Sequence, residues 1–472
     1  MKKYISFLLV LLLVLTTLAP AALATPAEPA GAVPSAGDEA LSTPPAEKPE
    51  VFSDILRDME PAKCKAAVLM DADTGEVLYE LDPHEQNYPA SITKVMTALL
   101  VLEAVDRGEL TLEELVTASD TFGYDLETGG TTQNIQPGEQ LSVLELLYCV
   151  LVPSANEACN ILAERVAGTP QAFVEKMNVR AAELGMADTH FSNAHGLHNA
   201  NHYTSAYDIA LMTQQALKND TFRTIVAVRS HTVPATNLHG ERKLSSTNAL
   251  INPLYSGKYT YPQAIGVKTG STSAAGKCLV SAAVSKGRTL ICVVLGAEEV
   301  KGEDDSVDRQ QFSESRRLLK WGFDSFERKV LVDAKRPVKE IPVELSADVT
   351  SVALKPQQDL ELTLPKDLDP QDFQQDLSVY YDAVEAPVEA GQILGELTVR
   401  NGQTTYGTVK LVAAASAERS DFLYHMKQLS DFFSQTWVKA VLVALGVVIV
   451  FLILRFGVFK PRKGYHGRKK RY

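Results

Sequence analysis

Pro89-Ala90-Ser91-Ile92-Thr93-Lys94 runs directly into Val95-Met96-Thr97-Ala98-Leu99-Leu100, and the reading of this stretch decides the fold. The apolar run predicts a helix over Val95 to Ala104 with the serine and lysine at its entry. A spacing of three on a helix puts the Ser91 hydroxyl and the Lys94 amine on one face, close enough to exchange a proton. A serine at a helix start also turns its backbone N–H towards incoming negative charge. The same residues suit a plain N-cap at Ser91, and an S-x-x-K spacing arises often by chance.

Two further segments carry similar chemistry. Ser154-Ala155-Asn156 falls at a break between an apolar helix ending at Val152-Pro153 and another beginning at Glu157. There a hydroxyl and an amide two residues apart can face one cleft, as proton relay and substrate holder, or else cap a helix. Lys268-Thr269-Gly270-Ser271-Thr272 lies in a strand-like run, where alternation sends Lys268 and Gly270 to one face and Thr269 and Ser271 to the other. Gly270 admits a close backbone or ligand, although a strand end reads the same way.

The remaining pattern organises these segments. Strand-like Lys65–Met70 and Glu76–Glu80 flank the turn Asp73-Thr74-Gly75 and predict a hairpin. Helical periodicity follows over Ser142–Val152, Glu157–Val166, Gln171–Leu184 and Ser205–Leu217. Strands return at Ile265–Thr272, Cys278–Val284 and Thr289–Leu295, and a last helix, Phe312–Phe323, is placed to pack on them. Strands at both ends with helices between predict an α+β layer built on an antiparallel sheet. Beyond Lys329 short alternating segments punctuated by Pro365, Pro387 and Asn401-Gly402 predict a small all-β domain.

S-x-x-K, S-x-N and K-T-G, in that order and on a helix start, a helix break and a strand, form the motif set of penicillin-binding proteins and class A β-lactamases. The segment from about Ala62 to Phe323 resembles the low-molecular-mass penicillin-binding proteins, the D-alanyl-D-alanine carboxypeptidases. Asn193-Ala194-His195-Gly196-Leu197 and His202-Tyr203-Thr204-Ser205-Ala206 through Asp208 resemble that family's segment between the second and third motifs. The resemblance implies a serine β-lactamase/penicillin-binding-protein-like catalytic domain that removes the terminal D-alanine from peptidoglycan stem peptides and is acylated by β-lactam antibiotics. It implies Ser91 as nucleophile, Lys94 as its base and Ser154 as proton relay to the leaving group. Asn156 would orient the peptide, Lys268 and Thr269 would hold its carboxylate or support Ser154, and the N–H groups of Ser91 and Ser271 would form the oxyanion hole.

Two departures accompany the likeness. Glu303-Asp304-Asp305 intrudes where the family carries a carboxylate-binding arginine, leaving Arg309, somewhat displaced, as the candidate. The family's anchor is commonly a surface helix, whereas this chain adds an apolar span. A β-lactamase would need a carboxylate in a loop after the second motif, and no E-x-x-N pattern occurs around Phe191. A D,D-endopeptidase is a closer alternative, and a non-catalytic wall-binding scaffold is the reading from outside enzymology. His195, His198 and His202 lack a carboxylate at zinc-like spacing, so neither metal nor cofactor is expected.

The ends fix the compartment. Met1-Lys2-Lys3, an apolar run from Ile5 to Leu18 and Ala22-Leu23-Ala24 make a secretory signal cleaved after Ala24, or an uncleaved anchor. Ala440 to Leu454, extended through Phe456-Gly457-Val458-Phe459, is long enough to span a bilayer, and the cationic tail behind it belongs in the cytoplasm. Upstream, Phe422, Met426, Leu429, Phe433 and Trp437 recur at helical spacing, suited to the membrane interface or to capping the preceding domain. The net charge of -12 argues against nucleic acid as a partner. Five scattered cysteines, an odd number, describe no disulfide scaffold. The expected division is a signal peptide over 1–24, a disordered linker over 25–61 and a serine D,D-peptidase domain over 62–325. An all-β domain over 326–415, an amphipathic connector over 416–436, a transmembrane helix over 437–459 and a basic cytoplasmic tail over 460–472 follow.

Overall fold

Ala66–Asp71 (β1) and Val77–Leu81 (β2) form the expected antiparallel hairpin, turning at Gly75, whose φ of +77° favours a residue without Cβ. The computed structural model describes residues 59–123, 125–126, 130–302 and 305–455. The expected signal peptide, nearly all of the linker, Glu303-Asp304 and the cationic tail lie outside those residues. So does the Phe456–Phe459 extension of the apolar span.

The hairpin joins Ala264–Thr272 (β3), Gly276–Ser285 (β4) and Arg288–Ala297 (β5) in a five-stranded antiparallel sheet of order β2-β1-β5-β4-β3. The central strand β5 is buried along its whole length, which explains its nearly unbroken apolar sequence. One sheet face, including Val68, Met70, Ile291 and Val293, packs on the helical layer. That layer comprises Lys94–Asp106 (α1), Val143–Leu151 (α2), Asn156–Ala167 (α3), Pro170–Glu183 (α4), Ala206–Ala216 (α5) and Asp220–Val226 (α6). Helix α1 buries Val95, Met96, Leu99, Val101 and Leu102 on several sides and lies inside the core, as an apolar-all-round helix must. Ser142, Thr169 and Ser205 cap the starts of α2, α4 and α5 through their hydroxyls.

The opposite sheet face, with Leu69, Leu279, Leu290 and Val294, packs on Gln310–Ser325 (α7) through Phe312, Leu318 and Leu319. This second core continues into the C-terminal strands through Phe326, Leu331 and Leu364. There Phe326–Val332 pairs with Leu360–Pro365, and a six-stranded sheet contains the hairpin Ile393–Asn401 and Thr404–Ala413 that turns at Gly402. Polar contacts lock the junction. Asp71, fully buried, accepts from Arg328 at 3.3 Å and from the Thr363 hydroxyl at 2.8 Å, with Arg288 at 3.8 Å, while Glu76 accepts from the Thr363 N–H at 2.7 Å.

Helix Asp421–Ser434 leaves Phe422, Met426, Leu429 and Phe433 exposed, and its Lys427 pairs with Glu385 and, at 3.6 Å, with Glu344. After a break at Gln435 comes Thr436–Ile453, of mean hydropathy 2.6, long and apolar enough to cross a membrane. Helix α6 and the ribbons Leu115–Thr117 with Gln140–Ser142 and Ser230–Val233 with Arg242–Ser245 were not expected, because such short pieces hold too few residues to show a period. Strand Lys339–Glu344 was also missed, since Pro342 interrupts its pattern.

Candidate active site

Ser91 sits in a 3₁₀ turn, Ala90–Thr93, and the α-helix proper begins at Lys94. The serine is therefore not an N-cap, and its side chain turns to Lys94, whose Nζ lies 2.9 Å from Ser91 Oγ. The amine also donates to Asn156 Oδ1 and to the His195 carbonyl, each at 2.7 Å. It is fully buried, and the cost of charging it there pulls its pKa down to about 8, against the opposing pull of Cys159 and Glu157. An ammonium satisfies all three acceptors. A neutral amine keeps two N–H bonds for the two carbonyl oxygens, which can only accept, and so directs its lone pair at the Ser91 hydroxyl.

Asn156 opens α3 and spends its side-chain oxygen on Lys94, so it does not cap the helix. Two residues earlier, Ser154 adopts φ +76°, a left-handed conformation that costs a non-glycine residue about 1–3 kcal/mol. Its hydroxyl is buried without a hydrogen-bond partner among the described residues, which leaves its donor and acceptor capacity for a bound molecule. Strain and an unspent polar group together mark a segment shaped for something other than stability.

The third motif lies against the first. A Cβ on Gly270 would come within 2.9 Å of the Pro89 carbonyl oxygen and 3.2 Å of the Ser91 nitrogen, so glycine is what lets β3 pass beside the serine turn. Lys268 is buried on the same face of β3, and Thr269 and Ser271 alternate to the other, more open face. Burial holds Lys268 well below the ordinary lysine range, and the positive charge of Lys94 lowers it further. Its Nζ donates to the Thr269 carbonyl at 2.8 Å, while the Thr269 and Thr247 hydroxyls meet at 2.5 Å. Arg309 stands apart. Its Nε lies 3.1 Å from Glu299, its guanidinium stacks 3.7 Å from the Tyr255 ring centre, and no side-chain hydrogen bond joins it to Lys268, Thr269 or Ser271 among the described residues.

Sequence reasoning missed the support around the serine. Thr97 donates to the Ala194 carbonyl at 2.6 Å, and His195 Nε2 lies 3.0 Å from Asp125. Gly196, at φ +84°, comes so close that an added Cβ would sit 1.9 Å from the Ala90 carbonyl oxygen. Its signal was a glycine inside Asn193-Ala194-His195-Gly196, legible as a close approach but not as an approach to Ser91. A cavity of about 560 Å³ lies beyond His195, lined by Asp125, Glu175, His190 and His198 among others and by none of Ser91, Lys94, Ser154 or Lys268.

Residues 57–299 match the family described as D-alanyl-D-alanine carboxypeptidase, and residues 326–419 match the C-terminal domain of penicillin-binding protein 5. The D-alanyl-D-alanine carboxypeptidase DacF of Bacillus subtilis is 30% identical over 366 residues, covering 78% of this chain and 89% of its own. The DacD carboxypeptidase of Escherichia coli is likewise 30% identical over 370 residues, with the same shares covered. Penicillin binding protein 5 from Haemophilus influenzae superposes with a TM-score of 0.63 at 27% identity, covering 76% of this chain and 99% of that one. The catalytic layer and the all-β module agree with these matches, and the chain belongs to the D-alanyl-D-alanine carboxypeptidase family.

Proposed function

We propose that the chain is an exported serine-type D-alanyl-D-alanine carboxypeptidase that removes the terminal D-alanine from peptidoglycan stem peptides through an acyl-enzyme on Ser91. The observation that carries this is the three-way hydrogen bonding of Lys94, which turns a buried amine of lowered pKa towards the Ser91 hydroxyl.

Neutral Lys94 takes the hydroxyl proton as Ser91 Oγ attacks the carbonyl of the penultimate D-alanine. The oxyanion is met by the N–H groups of Ser91 and Ser271, at about 3 kcal/mol per donor. As the C–N bond breaks, Ser154 passes a proton to the amine of the departing D-alanine. Water then cleaves the ester and regenerates Ser91. Asn156 aligns the peptide, and Lys268 with Thr269 receives the terminal carboxylate. Arg309, its Nε held by Glu299, can add to that contact through its remaining N–H groups. The strained ring of a β-lactam offers the same serine an acyl group, so penicillin is a covalent inhibitor.

Helix Thr436–Ile453 crosses the bilayer once, the catalytic domain stands outside, and the cationic tail stays in the cytoplasm. The domain divisions given under Sequence analysis apply, with the all-β module as a spacer between cleft and membrane. The test is release of D-alanine from a pentapeptide, and of separated stem peptides from crosslinked muropeptides, by parent and Ser91→Ala protein. The proposal expects release from the pentapeptide by the parent alone. Equal release by the variant overturns the nucleophile, and separation of crosslinked stems without release of D-alanine from the pentapeptide makes the enzyme an endopeptidase.

A further inference from the structure

His202 is buried, with the Phe191 ring edge-on at 5.7 Å. Its Nδ1 accepts the Ser192 N–H at 2.9 Å, and its Nε2 lies 2.7 Å from Thr93 Oγ1. The Thr93 hydroxyl has a single hydrogen, which it gives to the Ala90 carbonyl at 2.8 Å. Towards His202 it can therefore only accept, which places the imidazole proton on Nε2. The relay runs in one direction: Ser192 N–H to His202, His202 N–H to Thr93, Thr93 O–H to the Ala90 carbonyl. Every polar atom in it is satisfied, and a second ring proton would oppose the Ser192 N–H. Burial agrees, pushing the imidazole pKa down to about 3.

The end of the relay matters because of what shares its peptide plane. The Ala90 C=O and the Ser91 N–H belong to one rigid unit and point in opposite directions, so fixing one fixes the other. Ala90 itself sits at φ +49°, a conformation alanine disfavours and keeps only where its surroundings enforce it. Gly196 closes the turn from the same side and leaves no room for the carbonyl to swing.

We infer that His202 is a positioning residue for acylation, aiming the Ser91 N–H at the developing oxyanion through Thr93 and the Ala90 carbonyl. This rests on Ser91 being the nucleophile. His202 touches no reacting atom, so its effect falls on the rate of acylation and not on the affinity for the acylating compound.

The test is single-turnover acylation of the full chain by a fluorescent penicillin, with saturation kinetics separating the rate constant from the affinity. Thr93→Val keeps the core volume while removing the hydroxyl; His202→Phe keeps the ring while removing both nitrogens. Each is expected to slow the rate constant about 100-fold at unchanged affinity, the loss typical of a misplaced reacting group. Thr93→Ser is expected to restore the parental rate, and the double variant to be no slower than the slower single. Parental acylation by Thr93→Val, or a loss confined to affinity, overturns the inference. A Ser91→Ala control that still labels overturns the nucleophile instead, so the two failures are told apart.

Discussion

Lys94 Nζ lies 2.9 Å from Ser91 Oγ while two carbonyl oxygens, of Asn156 and His195, hold its other hydrogens. Position and proton affinity are thus set together: the groups that aim the amine are neutral, and its burial withholds the solvent that would stabilise its charge.

The first consequence concerns rate against pH. With Lys94 titrating near 8, acylation by a fluorescent penicillin should rise about tenfold per pH unit below that value and level above it. A rate independent of pH between 6 and 9 would contradict a lysine base of that pKa, about 6 to 9 being the range in which such a base must titrate.

The same group makes a stability prediction with a definite sign. Its pKa is 10.5 in the ordinary state and about 8 when folded, so between these values the unfolded chain binds more protons than the folded one. Stability from this group therefore rises with pH across that window, on the order of 3 kcal/mol in all. Urea unfolding of the parent and of Lys94→Met at several pH values measures it. The parent should gain on the variant from pH 8 upwards, and parallel curves would refute the shift.

Gly196→Ala puts a Cβ where the Ala90 carbonyl oxygen stands, 1.9 Å away, on a residue at φ +84°. Relief requires moving the serine turn or breaking the 193–197 loop, at about 1–3 kcal/mol for the backbone conformation alone. The folded variant should acylate far more slowly than the parent, measured as above. Unchanged kinetics would mean that the turn tolerates displacement.

At the junction, Asp71→Ala removes the carboxylate shared by Arg288 and Arg328 and the acceptor of the Thr363 hydroxyl. Breaking a buried charge cluster on one side costs about 3–5 kcal/mol. The urea midpoint should fall accordingly, while penicillin acylation of the folded protein is retained. A midpoint within error of the parent would show that the shared apolar core alone couples the two modules.

A chain ending at Ser434 tests the anchor. It should leave the membrane fraction on carbonate extraction, whereas the full chain stays. Retention of the shortened chain, once its N-terminus is shown to be processed, would assign anchoring to helix Asp421–Ser434 with its exposed Phe422, Met426 and Phe433.

Much of the site was legible in order and spacing. Ser91 and Lys94 share a face because they stand three positions apart, and Lys268 with Gly270 faces inward because a strand alternates. Periodicity placed the long helices and the sheet strands within a residue or two, since each buries a continuous stripe. What stayed hidden were contacts between segments distant in sequence. Thr93 and His202 are separated by 109 positions, and neither carries a local signal of the other. The strain at Ser154 and Ala90 was equally illegible, because local preference points away from the conformation the surroundings impose.

The central claim is most directly tested by treating the full chain with penicillin, digesting it and locating the adduct by mass spectrometry. The account predicts one penicilloyl group, on the peptide containing Ser91, absent from Ser91→Ala. An adduct on any other residue, or none on folded parent protein, contradicts it.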